Sequence, residues 1–531
     1  MLKISNIKIK AVPDFYPHLI KKTAGILKID NKEIKKLTVL KKSIDARKKD
    51  ILYVFTVAVS LSSEIESKIL SAGFIQNLSV YKDHEYSLPY VKRPGKRPGK
   101  RPLVVGDGPA GLFAAFLLTL SGIPPLVIER GKRVEERTCD IEEYFKTGSL
   151  DPDSNVQFGE GGAGAFSDGK LNTQVNDRFR RNDFVLKSFV KFGADPDILI
   201  DPRPHVGTDS LYHILSNMRN FMEEKGCEFR FSTALTGIIT DNGRVTGAKF
   251  SDGSIYSCDR IVLAIGHSAR DTFEELYRMG IPMCSKQFAM GFRIEHPQDF
   301  IDRSQYGKER GFLPAAYYRL SANLPDGRGV YSFCMCPGGY VIDSSSEEGA
   351  MCVNGMSYRS RDSKNANSAI VISVGQKEFD LNDPMGALKY QRKIERKAYS
   401  LGKGKIPQQL LGDFKKRIVT KSYGSFESLV KGRTSFSDMS GLFSEEITRD
   451  FINGISIFDK KIKGFGMDDA ILSGVESRTS SPVRIMRDDT FQSTGLIGLY
   501  PAGEGAGYAG GIMSAAMDGM KIAERIISEM N

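Results

Sequence analysis

The sequence predicts an α/β fold, and three features of the chain lead to that prediction. A short apolar run at 103–105 enters a glycine turn, a helical stretch and a second apolar run that ends in an acid. Residues 229–258 alternate between apolar and polar and contain an Asp-Gly turn, a pattern typical of a β-meander. The C-terminal residues repeat the order of apolar run, glycine turn and helix. Together these features predict a nucleotide-binding α/β domain, split by a large α+β insertion and preceded by a small α+β domain.

The first glycine turn has the G-x-G-x-x-G spacing of a dinucleotide-binding motif. Gly106 allows a tight turn out of the strand, Gly108 lets the backbone approach a pyrophosphate, and Gly111 lets the helix pack on the strand. The helix N-terminus then directs N–H groups at the phosphates. Glu129 lies 18 residues past Gly111, where its carboxylate can accept hydrogen bonds from both ribose hydroxyls. The other predicted contacts of this segment are Pro109, Ala110 and Arg130.

Length and composition describe a globular chain of several domains. The chain has 531 residues, of which 40% are hydrophobic and 26% are charged. No apolar run approaches the roughly 18 residues of a membrane span, and lysines interrupt the first ten residues, which argues against a secretion signal. The seven cysteines are sparse and odd in number, which favours reduced thiols and a cytoplasmic protein.

The positive charge of the chain is concentrated at its N-terminus. Residues 1–101 contain 22 basic and 9 acidic residues, a net charge of +13, whereas the whole chain carries +11. A soluble lysine-rich domain with a charged linker explains this asymmetry. A weak anionic partner such as nucleic acid is the alternative.

Shifts in pattern predict the boundaries of the domains. Residues 1–90 form the small basic α+β domain, and 91–102 form a linker that repeats Lys-Arg-Pro-Gly. Residues 103–279 are the first part of the nucleotide-binding domain. Residues 280–480 form a substrate lobe, and 481–531 return to the nucleotide-binding domain.

Hydrophobic periodicity predicts the elements within these domains. In the first domain we expect strands over 4–10 and 50–61 and helices over 16–27 and 64–72, with an element of unclear type over 34–45. The later predicted helices are 183–192, 211–225 and 386–398, and the later predicted strands are 260–266, 289–295, 330–336 and 369–374.

Three separated segments resemble the two-dinucleotide-binding-domain flavoproteins. They are the motif that begins at Gly106, the run Leu263-Ala-Ile-Gly266 after the meander, and the run Tyr500-Pro-Ala-Gly503-Glu504 near the C-terminus. The resemblance implies a Rossmann-like domain along which one FAD lies extended. It also implies that Glu504 meets the ribityl chain and that the last helix directs its N-terminus at the flavin.

Longer runs resemble a narrower family, the bacterial FAD-dependent, or NAD(FAD)-utilising, dehydrogenases. These runs are 42–48, 155–171, 333–339 and 475–484. The resemblance implies FAD and no particular substrate. Asp107 departs from the pattern, because a carboxylate beside a pyrophosphate would repel it unless the side chain points away.

A loop of many glycines, residues 158–170, is expected to wrap the cofactor with its backbone amides. The remaining predicted cofactor contacts lie in this loop, in the meander and in the C-terminal segment. They are Gly159, Gly161, Gly162, Ala163, Gly164, Ser167, Asp168, Gly169, Lys170, Leu235, Gly266, Gly503, Glu504, Gly511 and Ile512.

Four residues are weak candidates for catalysis: Lys170, His267, Cys334 and Cys336. Two cysteines two positions apart on an extended strand have parallel side chains and Cα atoms about 6.5–7 Å apart. A disulfide needs converging side chains, so the pair is predicted not to form a flavin-coupled disulfide.

Two arginines and the histidines are the remaining residues with the chemistry to bind a ligand or a metal. Arg478 and Arg484 are expected either to bind an acidic substrate or to pair with acids. The histidines do not cluster, and no metal site is predicted.

These observations predict an FAD-dependent oxidoreductase that passes hydride between a small-molecule substrate and flavin N5. NAD(P)H is a possible transient co-substrate, because only one complete dinucleotide motif lies between a strand and a helix. Two alternatives stay open at this point: a flavoprotein that associates with nucleic acid through its basic N-terminus, and a flavin-binding sensor without turnover.

Overall fold

The computed structural model describes residues 1–73, 75–90, 100–307 and 310–530. The predicted linker falls mainly on residues 91–99, which lie outside the described residues. No helix in the described ranges is long and apolar enough to cross a membrane.

The N-terminal residues form an antiparallel sheet with strand order β2-β3-β1-β4, and Leu313 of the second lobe joins their apolar core. The element of unclear type is a strand, and it pairs along its whole length with β3. Helix α1 begins at the predicted residue, with a proline in its first turn. The elements are β1 Leu2–Lys10, α1 Tyr16–Leu27, β2 Lys36–Asp45, β3 Leu52–Ser60, α2 Ser63–Ala72 and β4 Leu78–Val80.

A five-stranded parallel sheet forms the centre of the molecule, and this confirms the predicted α/β class. Its three-residue inner strands are apolar and buried, as expected of strands covered on both faces. The elements of this region are β5 Leu103–Val105, α3 Pro109–Leu120, β6 Leu126–Ile128, α4 Val134–Thr147, α5 Arg181–Lys191, α6 Thr208–Glu224, β7 Glu228–Arg230, β8 Leu235–Asp241, β9 Arg244–Phe250, β10 Ile255–Tyr256, β11 Ile261–Leu263 and α7 Arg270–Arg278.

The predicted meander begins later than its sequence pattern indicates. The apolar run at 229–239 is broken at Ser232, whose φ is +50°, so that the run forms two strands. The first, β7, joins the edge of the parallel sheet, and only β8, β9 and β10 form the antiparallel meander.

The second lobe is built on a seven-stranded sheet of order β14-β15-β18-β13-β22-β19-β21 with its own apolar core. Long buried strands at its centre match the predicted apolar runs. The elements are β12 Met283–Ser285, β13 Phe288–Pro297, α8 Gln298–Tyr306, β14 Ser321–Asn323, β15 Gly329–Cys336, β16 Tyr340–Asp343, β17 Val353–Met356, β18 Asn365–Val374, α9 Gly386–Gly402, β19 Ile406–Leu410, α10 Leu411–Lys416, β20 Val430–Lys431, β21 Thr434–Phe436, α11 Glu445–Lys461 and β22 Ile471–Glu476.

The chain then returns to the parallel sheet. Strand β12 pairs with the returning strand β23, so the two crossings between the lobes lie side by side. The last strand, β24, pairs with β11, and α12 packs on α3. This contact is close because Gly519 of α12 lies on the carbonyl of Ala110, where a Cβ would come within 2.0 Å. The elements are β23 Val483–Ile485, β24 Leu499–Pro501 and α12 Ile512–Glu529.

Candidate functional site

A cavity of about 370 Å³ lies at the carboxyl ends of the parallel strands and extends towards the second lobe. Open α/β sheets bind ligands at this edge. The turn after β5, the end of β6, the glycine loop, the turn after β11 and the start of α12 all line the cavity. Most of the predicted cofactor contacts lie here: Gly106, Gly108, Pro109, Ala110, Glu129, Arg130, Gly162, Ala163, Gly164, Ser167, Asp168, Lys170, Leu235, Gly266, Glu504, Gly511 and Ile512.

The glycines of the first motif have the geometry that their spacing predicts. Gly106 has a φ of +93°, and a Cβ there would lie 2.4 Å from the carbonyl oxygen of Ala264. A Cβ on Gly111 would lie 1.8 Å from the Gly106 carbonyl oxygen. Gly111 therefore permits close packing of helix and strand and does not itself line the cavity, which is the packing role its position predicts.

Asp107 points away from the cavity, so its carboxylate does not oppose a bound phosphate. It is fully buried, and neither of its carboxylate oxygens has a hydrogen-bond partner among the described residues. Burial, followed by the nearby charges of Glu160 and Glu129, raises its pKa well above the ordinary value. Burial away from the cavity and a pKa raised in this direction both lessen the repulsion that its position in the sequence implies.

The Glu129 carboxylate is held by three backbone N–H groups. Its Oε2 accepts from Asp107 at 2.9 Å, and its Oε1 accepts from Gly131 at 3.0 Å and from Gly159 at 2.9 Å. These donors belong to the dinucleotide motif, the turn after β6 and the glycine loop. Glu129 therefore ties three segments together at the rim of the cavity, a role that the sequence did not indicate.

The glycine loop divides into residues that face the cavity and residues that support the loop. Gly162 faces Gly108, since a Cβ on Gly162 would lie 3.0 Å from the Gly108 Cα atom. Gly159 instead packs against Arg137, and Gly161 packs against Leu215. The predicted contacts that do not line the cavity are Gly111, Gly159, Gly161, Gly169 and Gly503.

Two helix N-termini open into the cavity without side-chain caps. Gly108 precedes α3, Gly511 precedes α12, and neither helix has a side-chain hydrogen bond at its cap. The unpaired N–H groups and the helix dipoles favour negative charge at both positions. Gly266, Gly510 and Gly511 all line the cavity, and a Cβ on any of them would meet nothing within 4 Å. The site thus offers open space beside two anion-favouring ends, which fits an extended dinucleotide.

His267 lines the cavity beside Glu504. Its Nδ1 lies 3.6 Å from the Glu504 carboxylate, and its Nε2 is buried without a hydrogen-bond partner among the described residues. His267 lies in the middle of the chain and Glu504 near its C-terminus, and the two residues meet because β11 and β24 are neighbours. An unpaired imidazole nitrogen in a cavity is available to a ligand.

Lys170 lines the cavity and contacts both Cys334 and Cys336. Its Nζ lies 3.8 Å from the Sγ atoms of both Cys334 and Cys336, and 2.8 Å from the buried Asp168 carboxylate. Burial opposes the charge on Lys170, but Asp168 and the two sulfurs outweigh it and raise the pKa. Cys334 lines the cavity, whereas Cys336 lies behind it.

The sequence-based reason for setting the cysteines aside is wrong. Strand β15 is not extended at this point: its pairing with β18 shifts register between Phe333 and Cys336, and Cys334 has a φ of +44°. Such a bulge re-aims side chains. The two thiols consequently face one ammonium group and do not project in parallel.

Of the two arginines that were expected to bind an acidic substrate or pair with acids, Arg478 pairs with an acid, whereas no carboxylate pairs with Arg484 among the described residues. Arg478 forms an ion pair with Glu395 at 2.9 Å and also donates to Ser268 Oγ at 3.0 Å. Arg484 contacts the Gly507 carbonyl oxygen at 3.4 Å. Of the two, only Arg478 lines the cavity.

Several cavity residues were not among the predicted contacts. Four of them, Gln157, Phe158, Phe333 and Thr479, lie in the runs 155–171, 333–339 and 475–484 that carry the family resemblance, which was the available signal for them. The full set that was not predicted is Gln157, Phe158, Asn172, Thr233, Ser268, Thr272, Phe333, Asn354 and Thr479.

Comparisons with known proteins find relatives of two segments and of the whole chain. Residues 287–479 match the family model "FAD-dependent protein, C-terminal domain-like", and residues 1–60 match a domain of unknown function. A protein of Clostridium beijerinckii, described as an uncharacterized protein, is 43% identical over 535 residues, which cover 100% of this chain and 99% of that relative.

Solved structures give only distant likenesses. A glycine oxidase from Bacillus cereus is 10% identical, with 81% of this chain and 95% of that chain covered and a TM-score of 0.36. An L-proline dehydrogenase from P. horikoshii is 14% identical, with 82% and 95% covered and a TM-score of 0.34. The flavin-dependent brominase Bmp2 is 13% identical, with 81% and 79% covered and a TM-score of 0.36. These likenesses are too weak to carry an argument.

Proposed function

Because this chain belongs to a family of FAD-dependent flavoproteins, together with the Clostridium beijerinckii protein, we propose that it is an oxidoreductase that binds FAD in the central cavity. The observation that carries the proposal is the convergence of three distant segments on one cavity. The motif after β5, the turn after β11 and the start of α12 are separated by more than a hundred residues each and meet at the strand ends.

The residues present fit the parts of FAD. The uncapped N–H groups after Gly108 and the facing Gly162 suit the pyrophosphate. Glu129, whose Oε2 accepts one backbone hydrogen bond, has capacity left for a ribose hydroxyl. The open space at Gly266, Gly510 and Gly511 suits the ring system. When bound, the isoalloxazine ring would supply hydride transfer at N5.

The chain's own residues would manage protons and charge around that ring. The α12 dipole favours negative charge at the start of the helix. His267, oriented by Glu504, offers its free Nε2 to a substrate proton. Lys170 supplies a fixed positive charge, because Asp168 holds it in place at 2.8 Å. A nicotinamide nucleotide, NAD(P)H, is the proposed transient co-substrate.

Identification of the bound cofactor tests the proposal directly. Heat should release FAD from the purified protein, with a mass that distinguishes it from FMN. Anaerobic screening of metabolites for bleaching of the flavin absorbance would then identify the substrate. FMN, or no flavin after soaking with FAD, would rule the proposal out.

A pair of glycine variants tests where the cofactor binds. Gly510→Leu fills open space in the cavity and should weaken FAD binding about tenfold or more. Gly441→Leu is the matched control, because its Cβ also meets nothing within 4 Å but lies outside the cavity. Equal FAD affinities for the two variants would place the cofactor elsewhere.

A second proposal concerns an anionic partner of the N-terminal domain, such as RNA. Lys10, His18, Lys21 and Lys22 line one open groove beside β1 and α1. The aromatic residues Phe15, Tyr53 and Phe55 pack with one another, so binding would rest on charge and not on stacking. Affinity for a labelled RNA oligonucleotide should fall steeply with salt. Binding that is unaffected by a Lys21→Ala, Lys22→Ala double variant would contradict this.

A further inference from the structure

The cavity wall contributed by the second lobe holds a compact group of sulfurs and charges. We call it the thiol cluster: Lys170, Arg293, Cys334, Cys336 and Glu476. Lys170 comes from the glycine loop, and the other members come from β13, β15 and β22 of the seven-stranded sheet, in which β18 lies between β15 and β13. The proposed function assigns no role to the two sulfurs.

The backbone of the thiol cluster turns the two sulfurs towards each other. The bulge in β15 and the positive φ of Cys334 move its side chain out of the direction that an extended strand would give. The Cys336 Sγ folds back to 3.3 Å from the Cys334 carbonyl oxygen. Both Sγ atoms lie 3.8 Å from the Lys170 Nζ.

A positive φ on a residue other than glycine is costly and needs support from its surroundings. Arg293 supplies that support, because its Nη1 donates to the Cys334 carbonyl oxygen at 3.1 Å and contacts the Cys336 Sγ at 3.8 Å. The guanidinium is itself fixed by Glu476 at 3.0 Å in the buried interior. The strained position is therefore built into the fold by charged groups.

The charges make the two thiols unequal. A hydrogen bond between the two cysteine side chains, together with the charges of Lys170 and Arg293, lowers the pKa of Cys334 well below that of an ordinary thiol. The same side-chain hydrogen bond raises the pKa of Cys336. Elsewhere in the chain, burial raises the pKa of Cys227, Cys258 and Cys352 to about 12. Cys334, which lines the cavity, is thus the more easily ionised of the two thiols, and Cys336 behind it is the less easily ionised.

We propose that Cys334 and Cys336 are a redox-active dithiol that exchanges with small organic disulfides entering the cavity. The proposal goes beyond the oxidoreductase function, because exchange between thiols and disulfides requires no flavin. The nucleophile is the Cys334 thiolate, since thiolates and not thiols attack disulfides.

The exchange balances without any further reagent. The Cys334 sulfur attacks one sulfur of a substrate RS–SR, forms the mixed disulfide Cys334–S–SR, and releases RS⁻. Cys336 then loses its proton, attacks the Cys334 sulfur, and releases the second RS⁻. The dithiol is oxidised to one disulfide, and the substrate is reduced to two RS⁻, one of which takes up the proton of Cys336 while the other takes a proton from the solvent, where Cys334 released its own.

Mass spectrometry of the full-length protein, as purified, tests the exchange. The protein is equilibrated in buffers of reduced and oxidised glutathione, blocked with N-ethylmaleimide and digested. The peptide that contains 334–336 should pass from two alkylated thiols to none and lose two hydrogens as the buffer becomes oxidising. In Cys336→Ser the same treatment should trap glutathione on Cys334. A peptide that stays fully alkylated, with no adduct in Cys336→Ser, would overturn the proposal.

The charge on Lys170 is tested by the pH profile of alkylation. Loss of the ammonium in Lys170→Gln should raise the pKa of Cys334 by about one unit, so that alkylation below that pKa slows about tenfold, while Lys170→Arg should keep the profile. Cys284→Ser, which alters a half-buried cysteine outside the cluster, is the control and should change nothing. Identical profiles for Lys170→Gln and the unaltered protein would show that Lys170 does not activate the thiol. Because FAD content is measured separately, failure of exchange and failure of FAD binding are distinguishable.

Discussion

Removal of the Glu129 carboxylate separates two roles that one residue can have. A carboxylate that only binds the ribose should leave the cofactor-free protein as stable as before. The structure predicts otherwise, because Glu129 accepts hydrogen bonds from the backbone N–H groups of Asp107, Gly131 and Gly159 at 2.9–3.0 Å. In Glu129→Ala these three donors lose their acceptor.

The size of the effect follows from those three contacts. A buried donor that loses its partner costs about 1–3 kcal/mol. The donors lie next to a cavity that can admit water, so the lower value applies, and the cofactor-free protein should lose about 3 kcal/mol. FAD binding should weaken in addition by roughly 1.5–3 kcal/mol through the lost charged hydrogen bond to the ribose.

Two assays measure the two roles. Denaturant unfolding of the FAD-free protein, followed by circular dichroism, gives the change in stability, and FAD titration gives the affinity. Glu142→Ala, on the exposed face of α4, is the control and should change neither. Glu129→Gln keeps one oxygen and should lose about half as much stability as Glu129→Ala. If Glu129→Ala changes the unfolding free energy by less than about 0.5 kcal/mol while FAD affinity falls, the reasoning from the three amides is refuted.

Three further predictions follow from the fold. Gly111→Ala should cost about 3 kcal/mol or more in unfolding free energy, because its Cβ would lie 1.8 Å from a backbone oxygen, whereas Gly25→Ala, with nothing within 4 Å, should cost nothing. Burial lowers the pKa of His296 from the ordinary 6.5 to about 4. Between pH 4 and pH 6.5 the unfolded chain therefore binds one more proton than the folded protein. Stability is full above pH 6.5 and falls by about 3 kcal/mol on acidification to pH 4. His296→Gln should remove this loss of stability between pH 6.5 and pH 4. A loss as large as that of the unaltered protein would contradict its assignment to His296. Deletion of residues 1–80 should leave the ratio of FAD to protein unchanged, provided that 81–90 is kept, because Tyr86 donates to Glu524 at 2.7 Å. A folded but colourless product would contradict this.

The glycine motif and the order of the elements could be predicted from the sequence because their causes are local. A left-handed turn requires glycine wherever it occurs, and Gly106 is such a position, with a φ of +93°. Short apolar runs indicate strands buried on both faces, as β5, β6 and β11 are. The α/β class, the meander and most of the residues around the cavity follow from these patterns. The predicted domain boundaries and the roles of the individual site residues stay predictions.

What only the tertiary structure decided depends on contacts between distant residues. Lys170 and Cys334 are 164 positions apart, and no periodicity relates them. The bulge at Cys334 arises from the pairing of β15 with β18 and from Arg293, which donates to the Cys334 carbonyl oxygen. The sequence pattern of one strand shows neither contact, and it therefore indicated an extended strand with parallel thiols. Asp107 is fully buried and does not line the cavity, which the sequence position of the residue could not show. Glu129 accepts hydrogen bonds from backbone N–H groups of three segments, which come together only in the folded protein. The sequence thus determined which glycine turns form at the strand ends, since backbone conformation is local. The fold decided which charges and thiols line the same cavity, since electrostatic contacts depend on distance in space.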